Sequence, residues 1–463
     1  MIETDSLSSE LAIPKPEHIP LFEQESVRSV AVRTLLRVAT TQLDADRLIH
    51  DELRAHPQWN EFERALYQEL VLGTLRLRSK LDWVLTGFYH GEFSKCMPVV
   101  QEILRVAVYQ ILMISKVSPL EAITSACRLT SRIKGEQYAT KLGGVLRAIS
   151  RNVAAIRYPP RDQLALHLSV VYSHPLWLVE RWVERYGEEI AEQMLAANIE
   201  RAPLYLAANR LHTEDNTVPA WMEHHAIPFD ISPLAPRLVR TNPFLDVAAL
   251  PLTVEGRVYV TDPMYVSAAA LLASHSPSRI LYACATPSIA LLPFWELASC
   301  NQCTITVQVE HGVLPGWLEH TRRQLGWTHL ELLPTKSDAQ FDAITFEASS
   351  SGIGLWRRKP EGKWRIDSWD IQRAARRSRE LFDRAVTHLS PGGILVTIVA
   401  SLEPAETIGL VEWISAMHPE LQLISADEHI VAPSLVRSDG TLQSFPHTHR
   451  CDSVFVALFQ KQS

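Results

Sequence analysis

The sequence predicts an α/β protein in two parts: an all-α bundle, followed by a domain built on a mostly parallel sheet with helices on both faces. Three observations carry this. Early in the chain the apolar residues recur at helix spacing, as in Leu66, Leu70, Val71 and Leu75, or Leu104, Val108, Ile111 and Leu112. From Val258 onward, short apolar runs alternate with amphipathic stretches. At 463 residues the chain is long enough for two or three domains, each burying a core.

In chain order, residues 1–23 hold Pro14, Pro16 and Pro20 among polar residues and read as a flexible lead-in. Residues 24–151 form the bundle, punctuated by Gly73, Gly87, Gly91 and Pro98. Residues 152–168, with Pro159 and Pro160, read as a linker. Residues 169–250 form a helical entry and a small α/β lobe. Their opening phrase, Tyr172-Ser-His-Pro-Leu-Trp-Leu178, predicts a helix start with Ser173 as cap and Pro175 in the first turn. Residues 251–460 hold the sheet domain, with strands expected at Arg279–Ala283, Thr304–Val309, Phe341–Phe346, Gly393–Val399 and Val454–Leu458. Ligands of such sheets bind beyond the carboxyl ends of the strands.

A hydrophobic fraction of 46% with 21% charged residues is ordinary for a soluble globular chain. The uncharged run from Ile280 to Trp295 is too short for a membrane span and is broken by Pro287 and Pro293. The acidic N-terminus, with Glu3, Asp5 and Glu10, lacks a signal pattern and reads as the solvated tail of a cytoplasmic protein. A monomer is expected. The net charge of −7 is uneven. Residues 24–151 carry 18 Lys and Arg against 13 Asp and Glu, a net of +5, which leaves −12 on the remainder. That distribution suits nucleic-acid contact through one module, and equally a solvated helical surface. Six cysteines lack a disulfide spacing. Cys300 and Cys303 form a lone pair that could reach a zinc only by recruiting His447, His449 and Cys451 from far along the chain. No metal is expected.

The segment Glu347-Ala-Ser-Ser-Ser-Gly-Ile-Gly354 resembles the catalytic motif of RNA (cytosine-5) methyltransferases, which reads Asp-Ala-Pro-Cys-Ser-Gly-Thr-Gly. Arg28-Ser-Val-Ala-Val-Arg33, Glu69-Leu-Val-Leu-Gly-Thr-Leu-Arg76, Leu81-Asp-Trp83, Ile103–Gln110 and Gly144–Ile149 together resemble the RNA-binding fold of the antitermination factor NusB. The two in this order resemble the bacterial Fmu/Sun-type 16S ribosomal RNA methyltransferases, over about residues 24–460. The resemblance implies a NusB-like bundle, a Rossmann-like methyltransferase domain, S-adenosyl-L-methionine as cofactor and ribosomal RNA as partner. The family's cysteine adds to carbon 6 of cytosine and so activates carbon 5.

Both cysteines that the family uses are replaced. Ser350 stands at the nucleophile and Ala400 at the second cysteine, in Leu395-Val-Thr-Ile-Val-Ala-Ser401. The family's glycine loop, Asp-x-Cys-Ala-Ala-Pro-Gly-Gly-Lys-Thr, is here Tyr282-Ala-Cys-Ala-Thr-Pro-Ser-Ile-Ala-Leu291. Ala285 and Pro287 preserve the phrase, while Ser288, Ile289 and Ala290 replace its glycines and lysine. Ile289 is expected to push bulk toward the ligand at a position suited to positive φ. Glu310 stands where an acid would take the ribose hydroxyls. Cofactor binding is therefore expected to be weak or absent, with Ala285, Pro287 and Glu310 its remaining residues. For RNA, the expected contacts are Arg76, Arg78, Lys80, Arg128, Arg132 and Lys134 in the bundle, and Arg357, Arg358, Lys359, Lys363, Trp364 and Arg365 after the catalytic motif. The expected function is RNA binding by a family member that has lost methyl transfer. The alternatives are a methyltransferase of altered chemistry and a protein-interaction scaffold.

Overall fold

The computed structural model describes residues 26–462, apart from 42, 243, 244, 246, 248 and 249. The expected lead-in, 1–23, lies outside the described residues. The chain divides into two compact units, residues 1–195 with 359–364, and residues 196–358 with 365–463.

The first unit is helical. Its helices are α1 (Val27–Thr40), α2 (Ala45–Ala55), α3 (Glu61–Arg76), α4 (Arg78–Phe88), α5 (Pro98–Met113), α6 (Pro119–Lys134), α7 (Glu136–Arg151), α8 (Leu164–Val171) and α9 (Leu176–Tyr186), with α10 (Glu188–Ile199) at its end. Capping sets several starts: Ser26 and Ser29 close a reciprocal box on α1, and Asn60 and Glu63 do the same on α3. α5 is buried along most of its length, including Glu102 and Arg105, which pair with each other. The expected linker is partly helical, since α8 begins at Leu164. Ser173 does not cap α9. It takes a left-handed φ of 53° and accepts a hydrogen bond at Oγ from the Ser79 amide, and Pro175 is the capping position.

The second unit opens with a four-stranded antiparallel sheet, in the order β2-β3-β1-β4. Its strands are β1 (Leu204–Ala208), β2 (Phe229–Ile231), β3 (Leu238–Thr241) and β4 (Val258–Thr261), with α11 (Thr217–His224) and α12 (Pro251–Val254) between them. The sheet thus extends past residue 250, where the sequence suggested that the lobe ends.

After α13 (Pro263–Ala273) come β5 (Arg279–Cys284), α14 (Leu292–Asn301), β6 (Thr304–Val309), α15 (Gly316–Leu325), β7 (Glu331–Leu332), β8 (Phe341–Glu347), α16 (Ser368–Val386), β9 (Leu389–Val399), α17 (Ile408–Met417), β10 (Leu421–Ile424), β11 (Leu442–Gln443), α18 (Pro446–His449) and β12 (Phe455–Lys461). The order is β10-β12-β9-β8-β5-β6-β7, with β11 on β12. β5 to β9 pair in parallel and β12 runs antiparallel. Successive β5 residues serve opposite faces: Ile280, Tyr282 and Cys284 join one core cluster, Leu281 and Ala283 the other. A strand covered on both sides needs an unbroken apolar run. Among the described residues no helix is long and apolar enough to cross a membrane.

The loop leaving β8 is seated against the far end of β9. The Gly354 amide donates to Ala400 O at 3.1 Å, and its carbonyl accepts from the Ser453 amide at 3.0 Å. A Cβ on Gly354 would lie 2.0 Å from Ser453 O and 2.8 Å from the Ala400 carbonyl carbon. Both obstacles are backbone. We expect Gly354→Ala to destabilise the protein by about 3 kcal/mol or more, read as a lower denaturant midpoint. Wild-type stability in this variant would show that the loop can lift from β9.

Candidate functional site

The strand exits of the large sheet bring together the segments that the sequence singled out. At the exit of β5, Ser288 is extended (φ −117°) and its Oγ accepts from the Ala290 amide at 3.1 Å, capping the short turn Ile289–Leu291. Neither Ser288 nor Ile289 takes a positive φ, so this backbone asks for no glycine. Ile289 packs against the hydrophobic core rather than standing as free bulk, which corrects the expectation from sequence. Ala290 is fully buried and supplies no polar group. Pro287 is buried and Ala285 half-buried, with Ala285 O accepting from the Glu310 amide at 3.4 Å.

Glu310, at the end of β6, is already engaged. Its Oε2 accepts from Arg377 of α16, through Nε at 3.0 Å and through Nη2. The guanidinium holds the carboxyl below its ordinary range. Beside the pair runs a groove of about 880 Å³, lined by Ala283, Gln308, Glu310, Leu333, Phe346 and Arg384 among others.

At the exit of β8 the chemistry departs furthest from a nucleophilic centre. Ser350 Oγ lies 3.5 Å from Ala400 O, a carbonyl that can accept a proton's hydrogen bond but cannot remove the proton. The Glu347 carboxylate accepts at 2.6 Å from the hydroxyl of Tyr282, a residue wholly buried in β5. Burial and Glu347 push the Tyr282 hydroxyl and the Cys284 thiol up, so both stay protonated. The polar centre of the loop is instead Glu406, buried after β9. It accepts from the Ser351 amide at 2.5 Å, from Ser351 Oγ at 2.8 Å and from Ser401 Oγ. Burial pushes its carboxyl up to about 7, against the lowering effect of those donors. Glu406 was not singled out from the sequence. The three donors that converge on it come from two strand exits.

The basic segment after the motif does not form one solvent-facing patch. In the second unit, Arg357 is buried and donates to Glu200 at 2.8 Å. Arg358 donates to Asp452 at 2.6 Å and lies 3.5 Å from Asp262, the buried cap of α13. Burial and Asp452 push the Asp262 carboxyl up. Residues 359–364 belong to the helical unit. There Lys363 is 1% exposed, and its Nζ donates to Arg76 O and Ser173 O, each at 2.8 Å. Trp364 Nε1 donates to Leu75 O at 2.6 Å. Leu75 and Arg76 end α3, so Lys363 and Trp364 satisfy carbonyls left open at a helix terminus. Lys359 pairs with Asp44 at 2.7 Å. Phosphate contact by Arg357 or Lys363 is therefore at odds with their burial. Arg365 is half-buried and is itself engaged.

In the bundle, Arg76 is buried, and burial lowers the pKa of Arg76, Arg78 and Lys80 alike. Lys80 stands over the Tyr158 ring, 5.2 Å from its centre. Arg128, Arg132 and Lys134 are exposed on α6. Arg128 and Arg132 line a second groove, of about 720 Å³, with Arg28 at the start of α1. Arg28 entered the sequence reading only through the NusB-like phrase Arg28–Arg33 and was not among the expected RNA contacts.

Three family models match the chain. Residues 25–151 match the NusB family, residues 174–248 the ferredoxin-like domain of RsmF/B-like methyltransferases, and residues 269–460 the 16S rRNA methyltransferase RsmB/F model. The "Probable ribosomal RNA small subunit methyltransferase B" of Bacillus subtilis is 26% identical, over 95% of this chain and 100% of its own. The "Ribosomal RNA small subunit methyltransferase B" of Cronobacter sakazakii is 27% identical over 78% and 84%. Among solved structures, PH0851 aligns with a TM-score of 0.76 at 18% identity, covering 95% of this chain and 99% of that one. NSun6 from Pyrococcus horikoshii with SFG aligns at 0.51 and 13% identity, covering 61% and 97%. These two share the fold.

The raised carboxyl of Glu406 makes a pH prediction. A folded pKa of about 7, above the ordinary carboxylate value of about 4.3, means this group's stabilisation is complete below pH 4 or so. It is lost as pH rises through about 7. Glu406→Gln cannot ionise, so its melting temperature should gain on that of the native protein between about pH 5 and pH 8. A difference independent of pH would mean that Glu406 titrates normally.

Proposed function

The chain belongs to the RsmB/F family of 16S rRNA methyltransferases, and we propose that within it this protein binds ribosomal RNA without transferring a methyl group. The observation that carries the reading is Ser350. By the motif's resemblance it stands at the nucleophile's place, and its hydroxyl is directed at the Ala400 carbonyl. Carbon 5 of cytosine is a poor nucleophile until an anion has added at carbon 6. A thiol, with a pKa of about 8.5, ionises readily near a neutral pH, whereas a serine hydroxyl needs a strong base beside it. The nearest acidic residue in the motif, Glu347, accepts from Tyr282, and Glu406 is engaged with Ser351 and Ser401. Ala400 supplies no second thiol.

The residues present do not fit S-adenosylmethionine well. At the place of the family's lysine, the buried Ala290 offers neither charge nor donor. The acid at the ribose position, Glu310, already holds Arg377. Thermal melts with S-adenosylmethionine should therefore show no shift at millimolar concentration. A ligand at a hundred times its dissociation constant would add about 2.7 kcal/mol, an obvious rise. A saturable shift would overturn the loss of cofactor binding.

RNA contact in this reading runs through the basic face of α6. Filter binding of ribosomal RNA should weaken steeply with salt, by about 0.7 to 0.9 log units per tenfold salt for each phosphate neutralised. Arg128→Ala with Arg132→Ala should reduce that slope by about one to two units. Binding that ignores salt, or its absence at low salt, would favour a scaffold that works through protein contacts.

A further inference from the structure

We propose that the outer face of α16 is a platform for single-stranded RNA, with Trp369 as its stacking residue. The proposal rests on the RNA-binding reading above and adds a surface to it. α16 buries Ile371, Ala375, Leu381, Phe382 and Ala385, and Leu381, Phe382 and Ala385 join the core beneath the sheet. The opposite stripe, at steps of three and four residues, runs Trp369, Arg373, Arg376, Arg377, and all four are exposed. Trp369 is 70% exposed, the highest value of any tryptophan among the described residues. A solvated helix surface has no use for an indole there, since its apolar area gains nothing from water.

The geometry fixes the backbone from which that indole projects. Asp367 and Asp370 close a capping box on the first turn, and Asp367 Oδ1 accepts from the Trp369 amide at 2.8 Å. The helix start is thus fixed and presents the ring outward from a rigid element. One turn on, Arg373 lies against Asp370 and Asp367, and Arg377 holds Glu310. The Arg373–Asp367 pair is exposed, and exposed ion pairs contribute little, so the Arg373 guanidinium can exchange a carboxylate for a phosphate while Arg377 stays with Glu310. Arg376 has no partner among the described residues. Farther along the same helix, Arg384 lines the 880 Å³ groove, so the positive stripe leads into a concave surface.

An aromatic plane followed by arginines at helical spacing matches the chemistry of a single strand, whose bases are free to stack while the backbone follows the cations. A duplex offers only its phosphates to such a face, because its bases are stacked within. An acidic polypeptide would use the arginines and leave the indole without a role.

The test uses the full chain and a short fluorescein-labelled RNA of mixed sequence, as a single strand and annealed in a duplex, followed by anisotropy. Trp369→Ala should weaken single-strand binding roughly fivefold to a hundredfold, the range for losing one stacked base. Duplex binding should stay as it was. Trp369→Phe should keep most of the affinity, and Arg376→Ala should lower the salt slope by about 0.7. All three variants should melt like the native protein, since none removes a buried contact. Unchanged single-strand affinity in Trp369→Ala would overturn the proposal, as would equal losses on single strand and duplex. So would a loss of polyglutamate binding with RNA binding intact, which would mark a protein-docking face. If the native protein binds no RNA in any form, the RNA-binding reading itself fails; if it binds RNA and Trp369→Ala changes nothing, this surface alone does.

Discussion

The site depends on one carboxyl group. Glu406 gathers the Ser351 amide, the Ser351 hydroxyl and the Ser401 hydroxyl, and so ties the exit of β8 to the exit of β9. Two loops that leave neighbouring parallel strands have no ladder to hold them together. A buried acceptor with three donors supplies that hold, and an unsatisfied group there would cost about 1 to 3 kcal/mol. Gly354 completes the arrangement by letting backbone meet backbone without a Cβ between. The frame of the loop is thus independent of the atom at position 350. Serine at that position leaves such a frame standing, because none of the bonds that Glu406 gathers involves its side chain.

The charged segment after the loop follows a similar economy of partners. Arg358 lies between Asp262 and Asp452, so the cap of α13 and a residue just before β12 share one cation. A buried pair of acids without a cation would be strained by mutual repulsion, and the guanidinium's fork can serve both. Lys363 shows the reverse solution. It has carbonyl acceptors in place of a carboxylate, at the end of a helix whose dipole is negative there. Basic residues in a row therefore had structural work as well as surface exposure, and the row itself could not tell which.

The fold was legible because its signals are local. β6 was bounded from sequence at Thr304–Val309, as found, and β5 and β8 each end one residue beyond expectation. Strands buried on both faces announce themselves by unbroken apolar runs between turns. β9 and β12 were less well bounded: β9 begins at Leu389, before Pro391 and its glycines, where strand propensity is poor, and is carried there by its neighbours. The site was legible in position and misread in detail. Ile289 reads as an obstruction because substitution type alone says nothing of side-chain direction; it is half-buried and packs against the core. The burial of Lys363 rests on residues hundreds of positions away, so no local pattern could reveal it. Trp369 went unremarked because an isolated tryptophan near a helix start is usually core. Only the direction of the first turn showed it outside.

The plug at the end of α3 also sets an order of events during synthesis. The helical unit is assembled from residues 26–195 and 359–364, and Lys363 and Trp364 supply its last hydrogen bonds. While the chain grows from its N-terminus, α3 ends in open carbonyls until everything through β8 has emerged. The bundle is therefore the first unit to begin folding, yet it stays incomplete until residues 359–364 have followed the whole stretch 196–358. A nascent chain stalled before residue 359 should carry a bundle that is collapsed and helical but more easily cut near Leu75 than in the complete protein.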